Sequence, residues 1–296
     1  MQKATLGKTG FEVSRIIYGA IVSMDETQAD SDRFVAEAID LGINYFDVAP
    51  SYGDAEGKLG ISLAPYRKKT FLACKTTERR KEGALKELGQ SFKNLKTDWF
   101  DIFQLHAVNT REDVETAFGP DGIMELLRKL KEQGAIRKIG ITAHSERAAL
   151  ECLKRYPFDT VMFPLNWLLH LGQGMGESLK MEAEERGFGL IGIKSLILRA
   201  WHDEAERHGS MWPKSWCRPI DMQDHDLRLA AMKYALSLGA HSLVPPGNWE
   251  SFRFMAENID EAMRDGLADE DLILLKKKAI AFGDQPFFRH DSTPWQ

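Results

Sequence analysis

Cysteine is scarce in this sequence. Cys74, Cys152 and Cys217 are all there is, far apart and without a Cys-x-x-Cys. That count and spacing argue against a disulfide framework, a zinc knuckle or an iron–sulfur centre. Long apolar runs are also missing. No stretch approaches the ~18 consecutive apolar residues of a membrane span. The opening Met1-Gln2-Lys3-Ala4-Thr5 is polar, unlike the apolar core of a secretory signal. The expected setting is a reducing cytoplasm, with no membrane partner. Charge of one sign is lacking as well. The net charge of -5 is spread over both signs, and basic runs such as Arg67-Lys68-Lys69 and Lys276-Lys277-Lys278 are short. They read as solvated faces, which argues against nucleic-acid binding. His202 and His208 lack zinc-site spacing. In Gly172-Gln173-Gly174-Met175-Gly176 the third glycine comes too early for a dinucleotide loop, so it reads as a turn before a helix.

What is present is a regular alternation. The chain has 296 residues, 43% of them hydrophobic and 28% charged, which suits one α/β domain over residues 1–296. Residues 4–13 read as a hairpin, with turns at Gly7 and at Thr9-Gly10. Arg15-Ile16-Ile17-Tyr18-Gly19 follows as a strand. A helix capped by Asp30 or Ser31 runs through Asp40, and Gly42 closes it. The strand after Gly42 ends in Asp47. Helix 56–64 then leads to the strand ending in Lys75, helix 81–94 to the one ending in His106, and helix 121–133 to the one ending in Thr142. Helix 145–155 leads to the strand ending in Asn166, helix 176–186 to the one ending in Lys194, and helix 225–238 to His241-Ser242-Leu243-Val244-Pro245. About eight short apolar strands alternating with amphipathic helices predict a (β/α)₈ TIM barrel of the α/β class with an N-terminal hairpin. A doubly wound sheet is the alternative architecture. Residues 199–222 form one long loop without periodicity, and Trp201, Trp212 and Trp216 in it can wall an apolar substrate site.

The C-terminal ends of barrel strands converge on one site. Asp47, Lys75, His106, Thr142, His144, Asn166, Lys194 and Pro245-Pro246-Gly247 all stand at such ends, and Tyr52 lies just past Asp47. A phenol with a pKa near ~10 is a poor acid at neutral pH, and a neighbouring ammonium lowers that pKa. Lys75 is placed to supply the charge, and Asp47 to orient Lys75. His106 is placed to hydrogen-bond the substrate oxygen or Tyr52. Such a group suits giving a proton to a carbonyl oxygen as its carbon is reduced. The hydride must come from a cofactor, because side chains supply none. No metal is needed.

The same residues carry a resemblance. Leu6-Gly7-Lys8-Thr9-Gly10-Phe11-Glu12-Val13-Ser14 resembles the opening of the aldo-keto reductases. Gly42-Ile43-Asn44-Tyr45-Phe46-Asp47-Val48-Ala49-Pro50-Ser51-Tyr52-Gly53 resembles their first signature, with Glu56 and Gly60 also in place. Lys75, and His106 in Asp101-Ile102-Phe103-Gln104-Leu105-His106, complete what resembles their tetrad. The resemblance runs over residues 4–258. It implies a (β/α)₈ barrel, an extended NADP(H) cofactor and carbonyl reduction, with Tyr52 as general acid, Lys75 and Asp47 tuning it, and His106 orienting the carbonyl. It further implies Thr142 and His144 at the nicotinamide amide, Asn166 in the place of an amide side chain, and Ile193 with Lys194 where a stacking Tyr is usual. Trp201 is a candidate to supply the stacking instead. Pro246, Gly247, Arg253 and Asn258 fall in the phosphate loop and helix start. Arg253 is one position off the usual spacing, so NAD(H) stays open beside NADP(H). The partner is then a small carbonyl or alcohol, and the oligomeric state is open. The departures at the cofactor end leave a second class of function: a cofactor-binding regulatory subunit or redox sensor on the same barrel. A barrel hydrolase or isomerase using His106 and Asp47 would leave Tyr52 and Lys75 without a role.

Overall fold

The structure, a computed structural model, describes residues 1–283 together with 287 and 288. Its strands are β1 (Lys3–Thr5), β2 (Glu12–Ser14), β3 (Tyr18–Gly19), β4 (Tyr45–Asp47), β5 (Phe71–Thr76), β6 (Phe100–Leu105), β7 (Ile136–Thr142), β8 (Thr160–Pro164), β9 (Gly189–Ile193), β10 (Ile197–Arg199), β11 (Arg218–Pro219) and β12 (Ser242–Val244). Its helices are α1 (Gln28–Asp40), α2 (Ala55–Ser62), α3 (Lys81–Asn94), α4 (Arg111–Phe118), α5 (Ile123–Glu132), α6 (Glu146–Arg155), α7 (Trp167–Gln173), α8 (Glu177–Arg186), α9 (Glu204–Gly209), α10 (His225–Ser237), α11 (Trp249–Asp265) and α12 (Asp269–Phe282).

Eight of the strands form one parallel sheet in the order β3, β4, β5, β6, β7, β8, β9, β12. The two ends of that order meet. Ile17 N–H donates to the Leu243 carbonyl at 2.9 Å, and Leu243 N–H donates to that of Arg15 at 2.8 Å. The expected (β/α)₈ barrel is therefore the fold. No helix among the described residues is long and apolar enough to cross a membrane.

Side chains alternate across a strand, so each barrel strand has an inner and an outer row. Phe46, Leu72, Cys74, Phe103, Ile139, Val161 and Phe163 belong to the outer cluster, packed under the helices. Ile17, Tyr45, Ala73, Ile102, Met162 and Ile191 form the inner one. Burial of each large member stabilises the fold by about 1.5–3 kcal/mol. The β1–β2 hairpin closes the N-terminal end of this inner cluster with Leu6 and Val13. Phe11 stacks on Phe71, at the first residue of β5, with centroids 4.6 Å apart. Gly7 has φ +51°, and a Cβ there would lie 2.6 Å from the Gly187 carbonyl oxygen. No other residue lets the hairpin approach this closely. With that end plugged, the open end is the C-terminal one.

The structure departs from the sequence-based expectation in several elements. The α1 cap is Thr27, whose Oγ1 accepts from Asp30 N–H at 3.1 Å. Ser31 is instead buried, bonded to Ser23 and Ser62. The helices α4, α7 and α12 were not foreseen, because they break the one-strand, one-helix rhythm. On α12, Ile273 and Ile280 are exposed, so its apolar pattern does not mark one buried face. Residues 199–222 are no structureless loop. They hold α9 and β11, and β11 pairs antiparallel with β10.

Asp101 is a heavily used buried carboxylate. It accepts from Arg67 Nη1, Leu72 N–H and Arg137 Nη1, each at 2.9 Å. This ties the turn before β5 to β6 and β7. Asp101→Ala leaves the buried Arg67 without its counter-charge, which costs about 3–5 kcal/mol. The urea midpoint should fall accordingly, whereas Lys129→Ala, which removes an exposed pair with Glu125, should leave it in place.

Candidate active site

Alternation also builds the polar cluster at the open end. On β4, Tyr45 faces the inner cluster, so Asp47 two residues on faces the barrel axis. The same step places Lys75 two beyond Ala73, Gln104 and His106 beyond Ile102, and Thr142 beyond Gly140. Asp47 and Lys75 are 2% and 1% exposed, so neither charge is free of the other. Lys75 Nζ donates to Asp47 Oδ1 and, at 3.3 Å each, to the Val48 carbonyl and the Tyr52 hydroxyl. The other Asp47 oxygen accepts from Gln104 Nε2 at 2.9 Å. Tyr52 sits in a turn, with its own N–H on the Ala49 carbonyl at 3.0 Å and Gly53 beyond it at φ +54°.

His106 meets Tyr52 edge to face, with centroids 6.0 Å apart and planes at 89°. Its backbone is clamped. His106 N–H donates to the Thr76 carbonyl at 2.8 Å, and Arg79 Nη2 donates to the carbonyls of His106 and Ala107 at 2.6 and 3.0 Å. Thr142 Oγ1 accepts from Ala107 N–H at 2.8 Å. His106 Nδ1 is buried without a hydrogen-bond partner among the described residues.

The electrostatics follow from this burial. Burial pulls the Lys75 ammonium down, but the Asp47 carboxylate and the Tyr52 oxygen more than reverse it, so Lys75 stays firmly charged. Burial raises the Asp47 carboxyl, opposed by Lys75 and Gln104. Burial also raises the Tyr52 phenol, and Lys75 offsets only part of that rise. The lowered phenol pKa expected from the sequence is therefore not the resting condition: Tyr52 holds its proton. Burial, then the charge of Lys75, pushes His106 down to about 3. Burial, then Lys194, pushes His144 down to about 3. Both imidazoles are neutral.

These groups open into a cavity of about 480 Å³. Asp47, Tyr52, Lys75, His106, Thr142, His144, Ile193, Lys194, Pro246, Gly247 and Trp216 all line it, as expected from the sequence. Five other candidates do not. Asn166 caps α7 through Leu168 N–H and donates to the carbonyls of Lys194 and Ile197, each at 2.8 Å, so its amide is occupied in holding backbone. Trp201 donates its indole N–H to the Ser215 carbonyl at 2.8 Å, which anchors the loop rather than stacking in the cavity. Trp212 is buried within that loop region, beside Arg218. Arg253 is exposed and bonded to Glu257 at 2.7 Å. Asn258 donates to the Phe254 carbonyl of its own helix at 2.8 Å. Gln104, Ile21, Cys217 and Phe288 are site residues that the sequence reading missed. Gln104 carried a signal, an amide in an apolar strand two residues before His106. The other three come from segments without strand-end geometry.

The loop after α9 crosses over the phosphate-loop candidates. Lys214 pairs with Glu26 and donates to the Val22 carbonyl at 3.2 Å. A Cβ at Gly247 would lie 3.1 Å from both the Lys214 carbonyl oxygen and Ile21. The strap therefore packs on Gly247, and the cavity extends from Tyr52 to Pro246 and Gly247, just before α11.

Residues 15–250 match the model of the Aldo/keto reductase family. L-galactose dehydrogenase of Arabidopsis thaliana is 29% identical over 215 residues, 65% of each chain. The oxidoreductase YqkF of Bacillus subtilis is 28% identical over 176 residues, 55% of each chain. Both alignments thus span less than two thirds of those relatives' own length. Among solved structures, an aldo-keto reductase of Bacillus halodurans in its holo form superimposes with a TM-score of 0.71 at 21% identity, over 98% of this chain and 99% of that one. At that identity the likeness is one of fold. The family match covers most of the chain, and the barrel is of the same kind: the chain belongs to the aldo/keto reductase family of oxidoreductases.

Proposed function

We propose that this protein interconverts an aldehyde or ketone and its alcohol with a nicotinamide cofactor of the NADP(H) type, and that Tyr52 is the proton donor. The observation that carries this reading is the buried Lys75 ammonium, fixed by Asp47 and reaching the Tyr52 hydroxyl at 3.3 Å. The cavity suits an extended cofactor. Pro246 and Gly247 line the cavity, and α11 begins two residues after Gly247. First-turn N–H groups of a helix favour an anion such as a phosphate. Thr142, His144, Ile193, Pro246 and Gly247 are the residues placed to hold it. When bound, such a cofactor supplies the hydride that no side chain can.

The protein's own contribution is proton control. Tyr52 keeps its proton in the resting site and gives it to the carbonyl oxygen as negative charge develops there. Lys75 then stabilises the phenolate, and Asp47, held by Gln104, keeps Lys75 charged and aimed. Neutral His106 can donate a ring N–H to the same oxygen without adding a charge. Arg253 is the candidate for a 2′-phosphate. Its exposed pair with Glu257 is of a kind worth only about 0–1 kcal/mol, so a phosphate displaces it readily.

Three measurements test this. Tyr52→Phe should lower kcat for reduction by about 10²–10⁴-fold while NADPH fluorescence still reports cofactor binding; unchanged turnover would remove Tyr52 from the mechanism. Reduction needs protonated Tyr52, which is present below its pKa and lost as pH rises through it, and His106 is neutral at every pH well above 3. The pH profile of kcat/KM for reduction should then be flat from about pH 5 to 8, with no limb near the ordinary histidine value of ~6.5. Arg253→Ala should raise KM for NADPH about tenfold and leave that for NADH alone; equal effects on both would take the 2′-phosphate away from Arg253.

A further inference from the structure

Three side chains with a formal charge line the cavity among the described residues: Asp47, Lys75 and Lys194. The first two cancel. Asp47 has one oxygen on Lys75 and the other on Gln104, so its charge is already matched by Lys75. His106 and His144 are neutral. Lys194 therefore has no carboxylate partner in the cavity among the described residues, and burial pulls its ammonium down from the ordinary lysine value, so an anion beside it is what would hold the charge. Its ammonium lies over the ring of Phe288, 5.4 Å from the centroid. A cation–π contact of this kind contributes about 0.5–2 kcal/mol and supplies no counter-charge. An ammonium in a pocket with apolar walls is costly until an anion meets it.

The backbone is arranged to keep Lys194 there. Its φ is +63°, a left-handed conformation that costs a lysine about 1–2 kcal/mol. Such strain persists where surrounding structure enforces it, and it concentrates at functional sites. The enforcing contacts are on its carbonyl, which accepts from Asn166 Nδ2 at 2.8 Å and from Ile197 N–H at 3.0 Å. Asn166, which does not reach the cavity, thus acts as a positioning residue for Lys194. The charge of Lys194 acts on both His106 and His144, so it lies within electrostatic reach of the carbonyl-orienting end. The walls between are Met162, Ile193, Ile197, Val244 and Trp216.

We infer that Lys194 is an anion receptor of the substrate cavity, and that the preferred substrate is a carbonyl compound with an apolar body and a carboxylate. This rests on the carbonyl-reducing function proposed above. A phosphate of the cofactor is the other source of an anion, and the experiment separates the two.

The probes are 4-carboxybenzaldehyde and benzaldehyde, matched except for the carboxylate, with wild type, Lys194→Met and Lys194→Arg. Wild type should favour the acid in kcat/KM by about tenfold or more, Lys194→Met should lose that factor, and Lys194→Arg should recover part of it. Without cofactor, benzoate titrated against tryptophan fluorescence should bind about tenfold more weakly to Lys194→Met. NADPH binding, followed by its own fluorescence, should stay within about twofold. An equal loss for both aldehydes would overturn the inference. So would NADPH binding weakened tenfold with the aldehyde ratio unchanged, which would assign the ammonium to the cofactor. If neither aldehyde is reduced, the carbonyl function fails on its own, and the benzoate titration still decides whether Lys194 receives an anion.

Discussion

A fully buried positive charge is costly without a partner, and the pair of Lys75 with Asp47 is the contact on which the rest of the site depends. Removing one partner of such a pair typically costs about 3–5 kcal/mol, because the other is left buried and uncompensated. Stability and chemistry are thus tied to the same two side chains. Gln104 fixes the far oxygen of Asp47, so the carboxylate cannot rotate away from Lys75. Lys75 in turn lies 4.9 Å from the centroid of the Tyr52 ring, besides its bond to the hydroxyl. Phenol and ammonium are held together from two directions.

The balance between burial and charge decides what each group is at rest. Tyr52 remains a phenol because burial outweighs the nearby ammonium. His106 remains neutral because burial and the Lys75 charge act in the same sense. A neutral imidazole beside a protonated phenol makes a site that donates hydrogen bonds to an oxygen and does not compete for its proton. The neighbouring backbone serves the same end. Arg79 and Thr142 hold the turn after β6, where Ala107 takes φ +55°.

Much of this was legible in the sequence, and for a simple reason. Short apolar strands between amphipathic helices mark a barrel, and a polar residue ending an apolar strand has few places to go but the open face. Asp47, Lys75, His106 and Thr142 were readable on that rule. Gln104 followed the same rule one step earlier on its strand, and was passed over because it does not end the strand. Asn166 shows the limit of the rule: a strand-end amide can turn back and hold the chain that carries it. Trp201 and Trp212 show another, since an aromatic residue in a loop serves its own loop as readily as a cavity. Phe288 lies beyond any strand–helix unit, and nothing in the local pattern connects it to His144, on which it stacks with centroids 4.7 Å apart.

The excursion from β10 to β11 has a consequence of its own. It is braced internally, by Arg199 with Glu206, by Arg207 Nε on the Pro213 carbonyl at 2.8 Å, and by the short β10–β11 ladder. None of these braces involves Asp47, Lys75, Tyr52 or His106. Yet the segment brings Trp216 and Cys217 to the cavity wall. One wall of the cavity and the buried ion pair are thus carried by separate pieces of the chain. A change in the length or sequence of that segment would reshape the wall and leave the buried ammonium with its counter-ion.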